Sequence, residues 1–274
     1  MPAKPFPTHF LCIPLVSAVS RPQLAESIGA FAADITSPTS YGIPPDAVRP
    51  VGTLHLTLGV MSFPKDEGLD RATELLRSLK LQDILAGVRR QAATRELPEE
   101  SQDTARDLGG EHSSGPLKIS LRGLSSMQSP SKTAVLYAPP VDGMGVLQAF
   151  CEHVRTKFMA AELMQDEGRP LLLHATIVNT IYVKNKKPRP GPVEGKGEGE
   201  EDGGRKQRKG RWGKRAEKLV IDARGILDRY DDQVWMQGFD VDKIAICRMG
   251  AKKVVVDGVD DQAYEEVAAI MFEG

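Results

Sequence analysis

Leu54-His55-Leu56-Thr57-Leu58 and Leu173-His174-Ala175-Thr176-Ile177 each set a histidine and a threonine two residues apart between aliphatic neighbours. In a β-strand, residues i and i+2 share a face, ~6.5 to 7 Å apart along the backbone. The alternation predicts two half-buried strands, each presenting an imidazole and a hydroxyl on the side opposite its aliphatic residues. Two imidazoles can take a proton from one oxygen and give one to another near neutral pH. Two hydroxyls can hold the non-bridging oxygens of a phosphate as its charge develops. The pattern points to phosphodiester chemistry on His55, Thr57, His174 and Thr176, and this scheme requires no metal or cofactor. Metal binding through the two histidines is disfavoured, since no neighbouring Asp, Glu or Cys completes a ligand set.

As a bare tripeptide, His-x-Thr/Ser is weak. His112-Ser113-Ser114 fits it too, but Gly115 and Pro116 follow at once and signal a loop. That match is a decoy. Context separates the other two, and the context repeats. Ahead of the first motif lies the apolar run Phe10 to Val16, then Leu24, Ile28, Phe31 and Ile35 at helical spacing in a segment opened by Ser20 and Pro22. Ahead of the second lies Thr133-Ala134-Val135-Leu136-Tyr137, then Leu147, Phe150, Cys151, Val154 and Phe158, again at helical spacing. Ile13 precedes His55 by 42 residues and Leu136 precedes His174 by 38. Two similar strand-helix-strand halves, each supplying one His-x-Thr to a shared cleft, account for this order.

On these residues the chain resembles the two-histidine phosphoesterase superfamily, which includes RNA ligase-like and cyclic nucleotide phosphodiesterase proteins. Thr8-His9-Phe10-Leu11-Cys12-Ile13-Pro14-Leu15, Leu173 to Thr180 and Ile221-Asp222-Ala223-Arg224-Gly225-Ile226-Leu227 are similar to the phosphoesterase-like domains of A-kinase anchoring proteins and of a subunit of the activating signal cointegrator 1 complex. The resemblance covers nearly the whole chain outside two hydrophilic insertions. It implies one bilobal α+β domain over residues 1–274, with two antiparallel sheets and flanking helices related by an internal repeat. It implies catalysis by His55 and His174 on RNA ends, 2′-5′ linkages or cyclic nucleotide phosphates. It also implies a competing role, that of a non-catalytic nucleotide- or RNA-binding subunit of a nuclear transcription-coactivator or DNA-repair complex. The sequence opens directly on the first strand, without room for the KH domain of the cointegrator subunit, so the RNA affinity of that module is not expected.

The 274 residues, 41% of them hydrophobic, suffice for a sizeable core and suit a soluble intracellular protein. Cys12, Cys151 and Cys247 are odd in number, lie in apolar periodic segments and read as core thiols of a reducing compartment. The run from Phe10 to Val19 is broken by Pro14 and belongs to the first strand, not to a secretory signal. No apolar stretch is long enough to span a membrane.

Two segments do not read as core. Residues 87–116 are polar and charged, a solvated insertion with partial helix at most. Residues 184–218 hold 13 Lys or Arg against 6 Asp or Glu and are rich in glycine, whereas the whole chain carries a net charge of −1. This basic insertion is expected to be mobile, and its clusters suit nuclear import or contact with nucleic-acid phosphates, with Trp212 able to stack on a base. The expected location is the nucleus, with the cytoplasm as a second one. Further strands are expected at Lys118 to Leu124, Gly238 to Cys247 and Lys253 to Val256, a short helix at Ile221 to Leu227, and a closing helix or strand at Ala263 to Phe272. Phe63 and Tyr182 each follow a motif histidine by eight residues. On unbroken strands they would share the histidine's face and could stack a base, although packing against helices is the stronger expectation.

Overall fold

The computed structural model describes residues 6–95, 115–165, 168–183 and 219–272. The first half runs β1 (His9–Pro14), α1 (Ser20–Thr36), β2 (His55–Met61), α2 (Leu69–Ser78) and α3 (Leu81–Arg95). The second begins with β3 (Lys118–Arg122), β4 (Ser125–Ser126), β5 (Val135–Ala138), β6 (Pro140–Val141), α4 (Leu147–Ala160) and β7 (Ala175–Asn179). The chain closes with α5 (Arg224–Arg229), β8 (Val234–Asp240), β9 (Lys243–Arg248), β10 (Lys252–Val256), β11 (Val259–Ala263) and β12 (Glu266–Met271). The two expected strand-helix-strand units are therefore present as β1-α1-β2 and β5-α4-β7.

Their helices form where the apolar spacing places them. Leu24, Ile28, Phe31 and Ile35 form the buried stripe of α1, and Leu147, Phe150, Cys151, Val154 and Phe158 that of α4. Ser17 Oγ accepts from the backbone N–H groups of Val19 and Ser20 (both 3.2 Å) and so caps the start of α1. Pro38 follows its end, where the preceding residue is biased away from helix. The Asp142 carboxylate does the same work at α4, accepting from Val146 N (2.6 Å) and Leu147 N (3.2 Å).

The strands pair antiparallel in sheets ordered β12-β9-β1-β2, β4-β5-β7 and β6-β3-β8, with β10-β11 as a separate hairpin. The hairpin turns at Asp257-Gly258, both at positive φ (51° and 77°), where glycine removes the steric cost of the second position. Two sheets were expected from the repeat; the second half instead divides its strands between two three-stranded sheets. The halves also interlock. Helix α1 packs on β8, with Phe31 edge-on to Trp235 at 5.0 Å and Ser27 Oγ donating to the Trp235 carbonyl (2.9 Å). Helix α4 packs on β2, and one buried cluster runs through both halves.

Other elements depart from the sequence reading. The single strand expected from Gly238 to Cys247 is two strands in different sheets, broken at Val241-Asp242. The Val241 N–H donates to Leu117 O and the Asp242 carbonyl accepts from Phe272 N (both 2.8 Å), so each residue of this corner is tied to a different part of the chain. The polar stretch expected from residue 87 opens inside α3, where Val88 and Arg89 are buried; residues 96–114, including the decoy His112, lie outside the described residues. So do the basic segment 184–218 and Trp212. The three cysteines are buried and free. Among the described residues no helix is long and apolar enough to cross a membrane.

Candidate active site

Strand β2 turns Leu56 and Leu58 into the core, which leaves half-buried His55, Thr57 and Gly59 on the other face. Beside it β1 sets Pro14 opposite His55 and Cys12 opposite Thr57, and the Phe10 ring lies 4.8 Å from the His55 ring. In the second half, Ala175 and Ile177 face the core while His174 and Thr176 face out. There β5 sets Tyr137 opposite Thr176, with the Tyr137 ring edge-on to His174 at 5.4 Å.

The two motif strands are brought together by the loop ahead of β2. Val48 bridges to Val178, and Arg49 N–H donates to the Ile177 carbonyl (2.8 Å), fastening this loop along β7. Strands β2 and β7 come into contact, and the charge on His174 is felt at His55. His55 and Thr57 on β2 and Thr176 on β7 thus lie on two adjoining strands, and His174 is the residue that leads into β7.

Both histidines are held in the same way. His55 Nδ1 bonds to the Thr53 carbonyl at 2.7 Å and His174 Nδ1 to the Leu172 carbonyl at 2.8 Å, each two residues back. A carbonyl can only accept, so Nδ1 carries the hydrogen and the lone pair of the neutral ring is on Nε2. The carbonyl continues to hold that Nδ1–H when the ring takes a second proton. Each histidine can therefore exchange a proton through Nε2 without turning.

The surroundings make the pair unequal. Burial against Phe10 and the edge of Tyr264, whose ring lies 5.2 Å away, lowers His55 from the ordinary histidine value to about 4. The Thr53 carbonyl opposes this shift, while the positive charges of His174 and Arg49 add to it. His55 is neutral at physiological pH and suited to accept a proton. Arg49 is only 5% exposed; its guanidinium lies over the Tyr182 ring, 3.8 Å from the centroid, and close to the Tyr264 hydroxyl. Burial, with Tyr182 alongside, pushes Tyr264 up to about 12, so this phenol stays protonated.

From Thr57 and His174 a cavity of about 630 Å³ extends along the cleft, walled by Met127, Met164 and Leu172 and by the cations Arg155 and Arg169. Its volume suits a nucleotide. Gly59 continues the face of His55 and Thr57, and Met164 packs so closely over it that a Cβ there would collide with the thioether.

The two aromatics that follow the histidines by eight residues do not share the motif face. Strand β7 ends at Asn179, whose Oδ1 accepts from Ile181 N (3.1 Å) and turns the chain into a 3-10 turn carrying Tyr182. Phe63 lies beyond the end of β2, buried beside His9 with ring centroids 5.5 Å apart. Sequence reasoning missed Arg49, Tyr264, Arg155 and Arg169. The first two meet His55 from six residues before it and from the far end of the chain, and neither shows a local pattern. Arg155 had a weak signal, a charged residue next to the apolar stripe of α4.

An uncharacterised protein of Schizosaccharomyces pombe is 25% identical over 217 residues, which make up 79% of this chain and 76% of the yeast protein. The mouse activating signal cointegrator 1 complex subunit 1 is 25% identical over 135 residues, 48% of this chain but only 31% of that longer protein. Escherichia coli LigT, solved in complex with 3′-AMP, aligns over 98% of this chain and 99% of its own with a TM-score of 0.47 and 12% identity. The sequence profile of the AKAP7 2′5′ RNA ligase-like domain matches residues 7–258. Spanning both His-x-Thr motifs, that match shows that the chain belongs to the AKAP7 2′5′ RNA ligase-like domain family, within the two-histidine phosphoesterases.

Proposed function

We propose that this protein is a phosphodiesterase of RNA ends, 2′-5′ linkages or cyclic nucleotide phosphates that works by paired-histidine acid–base catalysis without a metal. The observation that carries this reading is the matched bonding of His55 and His174, which fixes both rings at Nδ1 and leaves the lone pair of each neutral ring on Nε2 for proton exchange. His55, held neutral, takes the proton of the attacking hydroxyl as its oxygen bonds to phosphorus. His174, entering as the imidazolium, gives its Nε2 proton to the leaving oxygen as the P–O bond breaks. The Thr57 and Thr176 hydroxyls donate to the non-bridging oxygens, where negative charge builds.

Turnover of 2′,3′-cyclic nucleotides, a 2′-5′ dinucleotide and RNA 3′ ends in excess EDTA tests this reading. His55→Ala and His174→Ala are each expected to lower it ~10² to 10⁴-fold while ligand binding falls far less. Loss of wild-type activity in EDTA with recovery on adding a divalent ion overturns the metal-free scheme.

A second reading draws on the mouse relative, which by its name belongs to a cointegrator complex. In it the chain is a non-catalytic RNA- or nucleotide-binding subunit of a nuclear coactivator or repair assembly, and the basic segment 184–218 serves import or phosphate contact. Nucleotide binding with no turnover above the double histidine variant on the whole panel would decide for it.

A further inference from the structure

Arg49 is a buried cation with an unmet need. Its Nη2 is enclosed and has no hydrogen-bond partner, and no carboxylate pairs with it among the described residues. Taking a guanidinium out of water costs several kcal/mol unless an anion or a full set of acceptors compensates. Here the compensation is incomplete, consisting of the Tyr182 face and the Tyr264 hydroxyl. A chain that needed only to fasten its halves could have used the backbone bond from Arg49 N to Ile177 O with any side chain at this position.

Its place is also specific. The Tyr264 ring that meets His55 edge-on carries the hydroxyl beside Arg49, so one phenol links the guanidinium to the histidine. The outer cover is Tyr182, which is 44% exposed and sits at the end of a single 3-10 turn. Arg49 thus lies behind a surface aromatic and next to a motif histidine.

We infer that Arg49, Tyr182 and Tyr264 form an anion subsite at the His55 end of the cleft, in which Arg49 Nη2 donates to a phosphoryl oxygen of the bound ester. The inference rests on the phosphodiester reading of the cleft and adds a third holder of phosphate oxygen to the two threonines. Tyr264 orients the guanidinium through its hydroxyl. Tyr182 covers it until the ester arrives.

Inorganic phosphate is the probe, titrated into the full chain by calorimetry, with turnover measured in parallel. Removing a charge-assisted hydrogen bond of this kind weakens binding by about 10 to 100-fold, so Arg49→Met should bind phosphate that much more weakly and Arg49→Lys should recover part of the loss. The His55 ring, followed by NMR, should titrate higher in Arg49→Met because a neighbouring positive charge is gone. Tyr182→Ala uncovers the guanidinium and should bind phosphate at least as tightly as wild type, which keeps the test open if Arg49→Met does not fold. Unchanged phosphate affinity in Arg49→Met, or phosphate binding lost in Tyr182→Ala, overturns the subsite even if the enzyme turns over esters. Arg49-dependent phosphate binding in a chain that hydrolyses nothing supports the subsite and removes the phosphodiesterase reading instead.

Discussion

Replacing His55 by glutamine should flatten the acid side of the stability profile. In the folded chain His55 titrates at about 4, against an ordinary histidine value of about 6.5. Between those values the unfolded chain binds a proton that the folded chain refuses, so acid draws the equilibrium toward the unfolded state. The contribution is fully present above the unfolded value and is lost as pH falls toward the folded one. Between pH 7.5 and pH 5 the loss amounts to about 2 kcal/mol. Carboxylates titrate over part of the same range, but they are common to both proteins and cancel in the difference. Urea unfolding followed by the fluorescence of buried Trp235 gives the free energy of each at pH 7.5, 6.5, 5.5 and 5. The wild-type advantage over His55→Gln should shrink by about 2 kcal/mol across the series. A difference that stays constant to within ~0.5 kcal/mol would show that Phe10 and Tyr264 do not hold His55 neutral, and the assignment of His55 as base would lose its footing.

Two further perturbations read other parts of the fold. Gly59→Ala puts a methyl into the space occupied by the Met164 thioether, so Met164 must shift at a cost of about 1 kcal/mol; calorimetry should show a melting temperature roughly 2 to 4 °C lower, and an unchanged one would mean that Met164 moves freely. Replacing residues 184–218 by a short Gly/Ser bridge should leave the melting temperature nearly unchanged while weakening RNA affinity and flattening its salt dependence. The flanking residues are already held together, since Thr180 Oγ1 donates to Leu219 O (2.5 Å) and Thr133 pairs with Ile221, so a short bridge can join them. A large fall in melting temperature would show that the segment packs on the domain.

The parts of the fold legible in the sequence are those where one short segment decides its own environment. Alternation around His55 and His174 marks the strands because one face of each is core, and the stripes of α1 and α4 carry their helical period without interruption. Helices α2 and α3 carry comparable spacing, Leu69-Ala72-Leu76 and Leu81-Leu85-Val88, but their many charges hide it. A change of sheet is invisible to alternation: β8 and β9 read as one strand because both are half apolar and only Val241-Asp242 separates them. The place of Tyr182 was illegible for a similar reason, since Asn179 ends β7 through a side-chain bond that a two-residue period does not register.

The inequality of the two histidines was illegible for a deeper reason. The motifs are near copies in sequence, and both rings are fixed by the same i−2 carbonyl bond, so nothing local distinguishes acid from base. The difference arises where the end of the chain returns. Strands β9 and β12 extend the sheet of the first half only, and the link between β11 and β12 sets Tyr264 against His55. The loop ahead of β2 adds the Arg49 cation on the same side. In the second half Tyr137, from the adjacent strand β5, is the one aromatic ring packed against His174 among the described residues. A repeat thus provides two equivalent proton carriers, and the unrepeated C-terminal strands bury one of them deeply enough to keep it neutral. Tyr264→Ala should therefore raise the titration of His55 toward the ordinary histidine value, and an unchanged His55 titration, read by NMR, would refute this account of its neutrality.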